Sequence, residues 1–376
     1  MRVIPASRTE APDLPNDIGV LIDLTRWAVA VLTDRPAPEP APVAASGSLP
    51  DLVEQHHLAP LLERAMARSG WQDLPAALQR AIRDSARARA RRTLAQIALQ
   101  DRIADGMAAA GLPWLALKGP AVSSRIFATP TARMSVDLDI LVRLDDLEAV
   151  DGLLTGLGLR RVHPHPDRPL PWRWPAFRRW DKNTIHVSAQ TGVMVECHWR
   201  PFCNPTLLDL DFDGVWTRRS HARPGRRDVP VLATTDLFLY LAIHGAAHSW
   251  IRLKWLVDIL ALMPVLSGEE CRSIVATAGA NGLDTIVRQT VDYCALLFGS
   301  PGPEPFGQVG GCPPALWFLD RMARRLLISP VPTQSMPLGE ILAVKARNFA
   351  LKPTLATAVE IIANPLFRPD TGPRRP

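Results

Sequence analysis

Apolar residues recur at helical spacing through the first third of the chain. Residues 17–34 (DIGVLIDLTRWAVAVLTD) make an amphipathic pattern, as do 51–67 and a long Ala/Arg-dominated stretch near 75–111 with Gly111 at its end. Residues 35–50 (RPAPEPAPVAASGSLP) form a Pro/Ala/Ser linker in which a helix cannot persist. At Pro113 the texture changes. WLALKG (114–119) is a short apolar run closed by Gly, the pattern of a buried strand, and PAVSSRIF (120–127) follows with Pro at a first helical position. SVDLDILVR (135–143) alternates like a strand, and 144–158 returns to helical spacing and ends in Gly. Residues 183–202 (NTIHVSAQTGVMVECHWRPF) predict a hairpin that turns near Gln190–Gly192.

From Thr234 onward the pattern is helical again. It predicts helices over 235–265, 268–279, 283–298, 313–328 and 336–349, another after Pro353, and a Pro/Arg tail at 368–376. No internal repeat is present. The expected fold class is α+β with an α/β core. A helical region covers 1–112, a mixed-sheet core 113–232, and a helical domain 233–376. Residues 160–183, rich in Pro, Arg and Trp (Trp172, Trp174, Trp180), have no clear period. They fit a lid that stacks on a base and equally a loop pinned by its own aromatics.

Composition narrows the class. With 376 residues, 47% hydrophobic and 21% charged, the chain has the makeup of a globular protein with a sizeable core. The net charge of +6 raises a nucleic-acid partner, but the excess reads as Arg spread along the chain, the habit of a GC-rich genome, so nucleic acid is not an expected partner. Five cysteines (Cys197, Cys203, Cys271, Cys294, Cys312) without a C-x-x-C pair indicate neither a disulfide framework nor a zinc knuckle, and fit a reducing cytoplasm. The N-terminal residues lack an apolar secretion signal, and the most apolar stretch, 237–251, is too short and too polar to span a bilayer.

Three short segments carry candidate chemistry. In VDLDILV, strand periodicity puts Asp137 and Asp139 on one face and Val136, Leu138 and Ile140 on the other. Two like charges on a partly buried strand need a cation, and Mg²⁺ (or Mn²⁺) suits, because it takes a few carboxylates and leaves positions for phosphate. A solvated strand face is the bland alternative. The Lys118–Gly119 turn into the 120–127 helix offers backbone N–H groups to a phosphate, with Lys118, Ser123, Ser124 and Arg133 as further donors. In VMVECHW, Glu196 and His198 share a strand face; Glu196 would complete a metal cradle for phosphoryl or nucleotidyl transfer, and His198 would orient a phosphate or acceptor, or serve a structural role. Arg252 and Lys254 reach for the same phosphates, or pair with Asp258. His244 and His248 have zinc-like spacing, but the Glu of H-E-x-x-H and a third ligand are missing.

The blocks LALKG, R-x-M-x-V-DLDILV, VECHW and H-x-W-x-RLKWLVDIL, in this order over roughly 90–265, resemble a bacterial family of uncharacterised nucleotidyltransferases in the DNA polymerase β-like superfamily. The resemblance implies a minimal nucleotidyltransferase fold and a magnesium site at Asp137, Asp139 and Glu196. It also implies a nucleoside triphosphate substrate and transfer of its monophosphate to a small molecule, peptide or protein; family members occur beside peptide natural-product genes. One departure stands out: where the superfamily carries Gly-Ser at the turn, this chain has Lys118-Gly119. The alternatives are a nucleotide-binding regulator or antitoxin-type protein of the same fold, and a helical nucleic-acid-binding protein.

Overall fold

The computed structural model describes residues 15–37, 40–43, 47–71, 73–165, 174–208, 210–311, 313–328 and 338–367. Four helices come first: α1 (Asn16–Leu32), α2 (Leu49–Gln55), α3 (Ala59–Ser69) and the long α4 (Ala76–Ala110). The sheet unit runs β1 (Trp114–Ala116), α5 (Pro120–Phe127), β2 (Asp137–Val142), α6 (Leu147–Gly156), β3 (Leu159–His163), α7 (Trp174–Trp180), β4 (Asn183–Ser188), β5 (Met194–His198), α8 (Phe212–Thr217), β6 (Ser220–Ala222) and β7 (Val229–Val231). The remaining helices are α9 (Thr234–Ala247), α10 (Leu253–Leu262), α11 (Gly268–Asn281), α12 (Asp284–Phe298), α13 (Pro313–Ile328), α14 (Leu338–Leu351) and α15 (Leu355–Phe367). The fold is thus α+β, one seven-stranded mixed sheet flanked by helices.

The strands lie in the order β3-β4-β5-β2-β1-β7-β6. β2 and β5, distant in sequence, are parallel neighbours, with Asp139 opposite Glu196. β4 is antiparallel to β5 and sets Asn183 opposite His198. The period of two therefore sorts the residues cleanly. Leu138, Ile140, Val195 and Cys197 point to the back, where Leu99, Ile103 and Met107 of α4 and Val150 and Leu154 of α6 bury them. Asp137, Asp139, Glu196 and His198 are left on the front. Above the front face, residues from both ends of the chain share one core, from Leu21, Trp27 and Leu61 to Leu256, Ile259 and Val287.

Some elements differ from the hydrophobic pattern. The helix predicted over 51–67 is two helices, because His57 takes a left-handed conformation and Pro60 opens α3. Residues 160–183 contain β3 and α7, and Phe177 anchors α7 by packing on Trp174 and Trp199. Trp172 and the 368–376 tail lie outside the described residues. The stretch 203–233, to which the pattern assigns no element, supplies α8 and the β6–β7 hairpin.

The long helix predicted over 235–265 breaks between α9 and α10. Ser249 and Trp250 both have positive φ, which swings the Trp250 indole inward to donate to Gln289 Oε1 at 3.3 Å. The ring lies directly over Gly245, where a Cβ would fall inside it. Gly245→Ala is expected to cost about 1–3 kcal/mol by overpacking, read as a lower denaturant midpoint at unchanged m-value; an unaltered midpoint would show that the turn can relax.

Candidate metal and nucleotide site

Asp139 is the most confined carboxylate of the front face, at 1% exposure. It reaches that position because β2 is a central strand whose back is fully packed. Lys118 Nζ lies 3.1 Å from Asp139 Oδ1, and His198 Nε2 lies 3.1 Å from the same oxygen. His198 Nε2 is also 3.4 Å from Glu196 Oε2, which accepts from Asn183 Nδ2 at 2.8 Å. One ligand atom each from Asp139, Glu196 and His198 lie within 4.8 Å of one another. Asp137, one strand period earlier and partly exposed, falls outside that set.

Burial opposes ionisation of Asp139, but Lys118, His198 and Lys182 outweigh it and hold the carboxyl well below its ordinary value. Glu196 is likewise lowered: burial and Asp139 work against its charge, while the His198 hydrogen bond and Lys182 favour it. Lys118 is raised, because Asp139, Tyr240, Asp137 and Glu196 together overcome its burial. Asp139 Oδ2 and His198 Nδ1 nevertheless have no hydrogen-bond partner. A buried carboxylate oxygen left without a partner is costly. With a second carboxylate and an imidazole beside it, this is a donor set that fits a divalent cation.

The other residues picked out in the sequence divide into two groups. Gly119 takes φ 86°, ψ −154°, a region open essentially to glycine, and turns the chain from β1 into α5 beside the Asp137 carbonyl. Ser123 is fully buried and bonds to the Thr129 carbonyl and the Arg133 N–H, while Ser124 bonds to the Arg223 carbonyl. Both hydroxyls thus tie α5 to neighbouring loops. Arg133 is buried too, its Nε 2.9 and 2.8 Å from the two oxygens of Asp258. Asp258 is therefore Arg133's ion-pair partner, and Lys254 acts on it more weakly.

Arg252 approaches His57 Nδ1 at 3.4 Å. Lys254 is pushed down to about 7, first by burial and then by Arg133, Arg252 and Lys118. His244 and His248 form a ladder with Trp255, the two imidazoles 4.7 Å apart and His248 stacked 4.9 Å from the indole. Both imidazoles are held below the usual range, first by the protein packed around them and then by Lys118. Neither belongs to a group of three metal-capable ligands among the described residues.

Three residues of this neighbourhood escaped the sequence reading. Lys182 acts on Asp139, Glu196, His244 and His248, Asn183 holds Glu196, and buried Tyr240 faces Lys118. Lys182 had one legible signal, its presence in a chain with only five lysines. Asn183 had another, as the first residue of a predicted hairpin.

The mixed sheet thus presents a buried Asp139–Glu196–His198 cluster that could hold a metal ion, with Lys118 beside it. The chain belongs to the family described as uncharacterised nucleotidyltransferases, whose model matches residues 46–299. No curated protein and no solved structure matches it. Among the described residues, no helix is long and apolar enough to cross a membrane.

The Arg133–Asp258 pair invites a double-mutant cycle. Arg133→Met alone is expected to cost about 3–5 kcal/mol, because it strands a buried carboxylate, whereas Arg133→Met/Asp258→Leu recovers most of that loss. Additive losses in chemical denaturation would mean that the two side chains act independently.

Proposed function

We propose that this protein transfers a nucleoside monophosphate from a nucleoside triphosphate to an acceptor hydroxyl, with release of pyrophosphate. The observation that carries the reading is the convergence of Asp139, Glu196 and His198 within 4.8 Å, with Asp139 Oδ2 left without a partner. Family membership supports the reaction class.

Asp139 and Glu196, joined by Asp137 from the same face, would hold Mg²⁺ or Mn²⁺, and His198 would hold the two carboxylates in register. When bound, the ion supplies Lewis-acid neutralisation of the phosphate oxygens. Lys118 exchanges Asp139 for the triphosphate, and Gly119 lets the backbone approach it closely. Lys182, Lys254 and Arg252 would add positive charge around the site. With both serines of α5 engaged elsewhere, these cations carry the phosphate contacts that a Gly-Ser turn would otherwise share. The acceptor oxygen forms its new bond to the α-phosphorus as the bond to the β-phosphate oxygen breaks. Glu196, kept ionised by Asn183 and His198, takes the acceptor proton.

The test is incubation with Mg²⁺ and each of the four nucleoside triphosphates, followed by pyrophosphate release and mass spectrometry of candidate acceptors. Asp139→Asn is expected to lose far more than the roughly 10–100-fold of an outer-shell change, and Asn183→Ala to fall within that range. Nucleotide-dependent stabilisation without pyrophosphate release would replace transfer by nucleotide binding alone.

Lys254 gives a second, pH-linked expectation. With its pKa near 7, it is largely deprotonated at a pH one unit higher, and a triphosphate beside it favours the charged form. Binding is then accompanied by net proton uptake, measurable by calorimetry in buffers of differing ionisation enthalpy and smaller in Lys254→Met. Equal uptake in both proteins would place Lys254 away from the phosphates.

A further inference from the structure

The basic character of the chain is far more concentrated than its overall composition suggests. Residues 80–92 (RAIRDSARARARR) contain six Arg and one Asp, a net of +5 from thirteen residues, against +6 for the whole chain. The remainder is nearly neutral, and the intervening Ala residues hide the density from a reading by overall composition. All thirteen lie in the N-terminal half of α4.

Helical phase divides these arginines. Arg80, Arg83, Arg87 and Arg91 fall within about 80° of arc at 100° per residue, a stripe about 17 Å long. Arg80, Arg87 and Arg91 are exposed and Arg83 is half-exposed. Arg87 has a loose exposed contact with Asp84 at 3.9 Å, and Arg89, off the stripe, is neutralised by Glu54. The other three stripe residues have no carboxylate partner among the described residues. An uncompensated row of guanidiniums creates a positive potential that attracts a polyanion.

Arg91 closes the stripe, and Arg92, about 100° further round the helix, faces the sheet. Arg92 Nη2 donates to the Val136 carbonyl at 2.9 Å, one residue before Asp137, and Gln96 reaches the Ser135 carbonyl. A hollow of about 660 Å³ lined by Arg89, Arg91, Arg92, Glu54 and Thr191 joins α4 to the β4–β5 turn that feeds Glu196.

We propose that the stripe on α4 binds the phosphodiester backbone of a nucleic-acid strand. Strand binding stands apart from the transfer reaction proposed above. At one phosphate per 3.4 Å of strand, the stripe spans about five nucleotides.

The test uses the full chain and labelled RNA and DNA strands of about 20 nucleotides, with anisotropy read between about 50 and 200 mM salt. Four phosphate contacts predict a log–log slope near −3, or an affinity loss of about fiftyfold across that range. Arg83→Ala/Arg87→Ala/Arg91→Ala is expected to weaken binding at the lowest salt at least tenfold and to flatten the slope by about two. Alanine favours the helix, and circular dichroism checks that α4 persists. If the triple variant does not fold, Arg91→Ala alone should flatten the slope by about 0.7. Asp139→Asn should bind strands like the parent, which separates strand binding from turnover. RNA and DNA binding both support the proposal, and preference for one identifies the source. An unchanged slope in the folded variants overturns it, as does failure to bind either strand at the lowest salt or preference for poly-glutamate over both.

Discussion

A carboxylate removed from water must be neutralised, and Asp139 sets that requirement for the whole front of the sheet. It sits on a central strand whose back is sealed by α4 and α6, so it cannot turn to solvent. Lys118 and His198 share one of its oxygens, and its other oxygen is left over. In the proposed reaction, a cation at the free oxygen would take over part of that neutralisation and leave the Lys118 ammonium available to a polyphosphate.

Outward from that carboxylate, charge is layered. Asn183 and His198 steady Glu196, while Lys182 adds its charge to both carboxylates. Arg133 is different, since its charge is spent on Asp258 inside the fold. That pair ties the loop before β2 to α10 and so fixes the helical wall against the strand that carries the carboxylates. Helices beyond the matched family segment add to the enclosure: Arg179 of α7 pairs with Glu360 of α15, and Arg347 of α14 reaches Ser249 in the α9–α10 turn.

Much of this was legible in the sequence because it rests on local periodicity. A repeat of two placed Asp137 with Asp139 and Glu196 with His198, and Pro120 after Gly119 marked the start of α5. Adjacency was not legible in the pattern itself; the family resemblance alone implied that Glu196 joins the Asp pair. β2 and β5 are far apart in the chain, and nothing in either segment states that they pair in parallel with Asp139 opposite Glu196. The tasks of Ser123, Ser124 and Arg133 were hidden for the same reason, since their partners at Thr129, Arg223 and Asp258 are tertiary. The break at Trp250 has no proline to announce it; a large indole finding a glycine-floored slot outweighed the helical propensity of the run.

The parallel pairing of β2 with β5 has a consequence for how this protein tolerates change. Excising Cys197 from β5, between Glu196 and His198, would preserve the ladder of backbone hydrogen bonds while exchanging the two faces for every residue upstream of the cut, Glu196 included. Val195 would then look toward the cations and Met194 toward α4, and the chain would keep its sheet yet lose the alignment that brings two carboxylates together. Length variation is therefore confined to the connections, and the five residues of β5 behave as a ruler whose markings cannot slip.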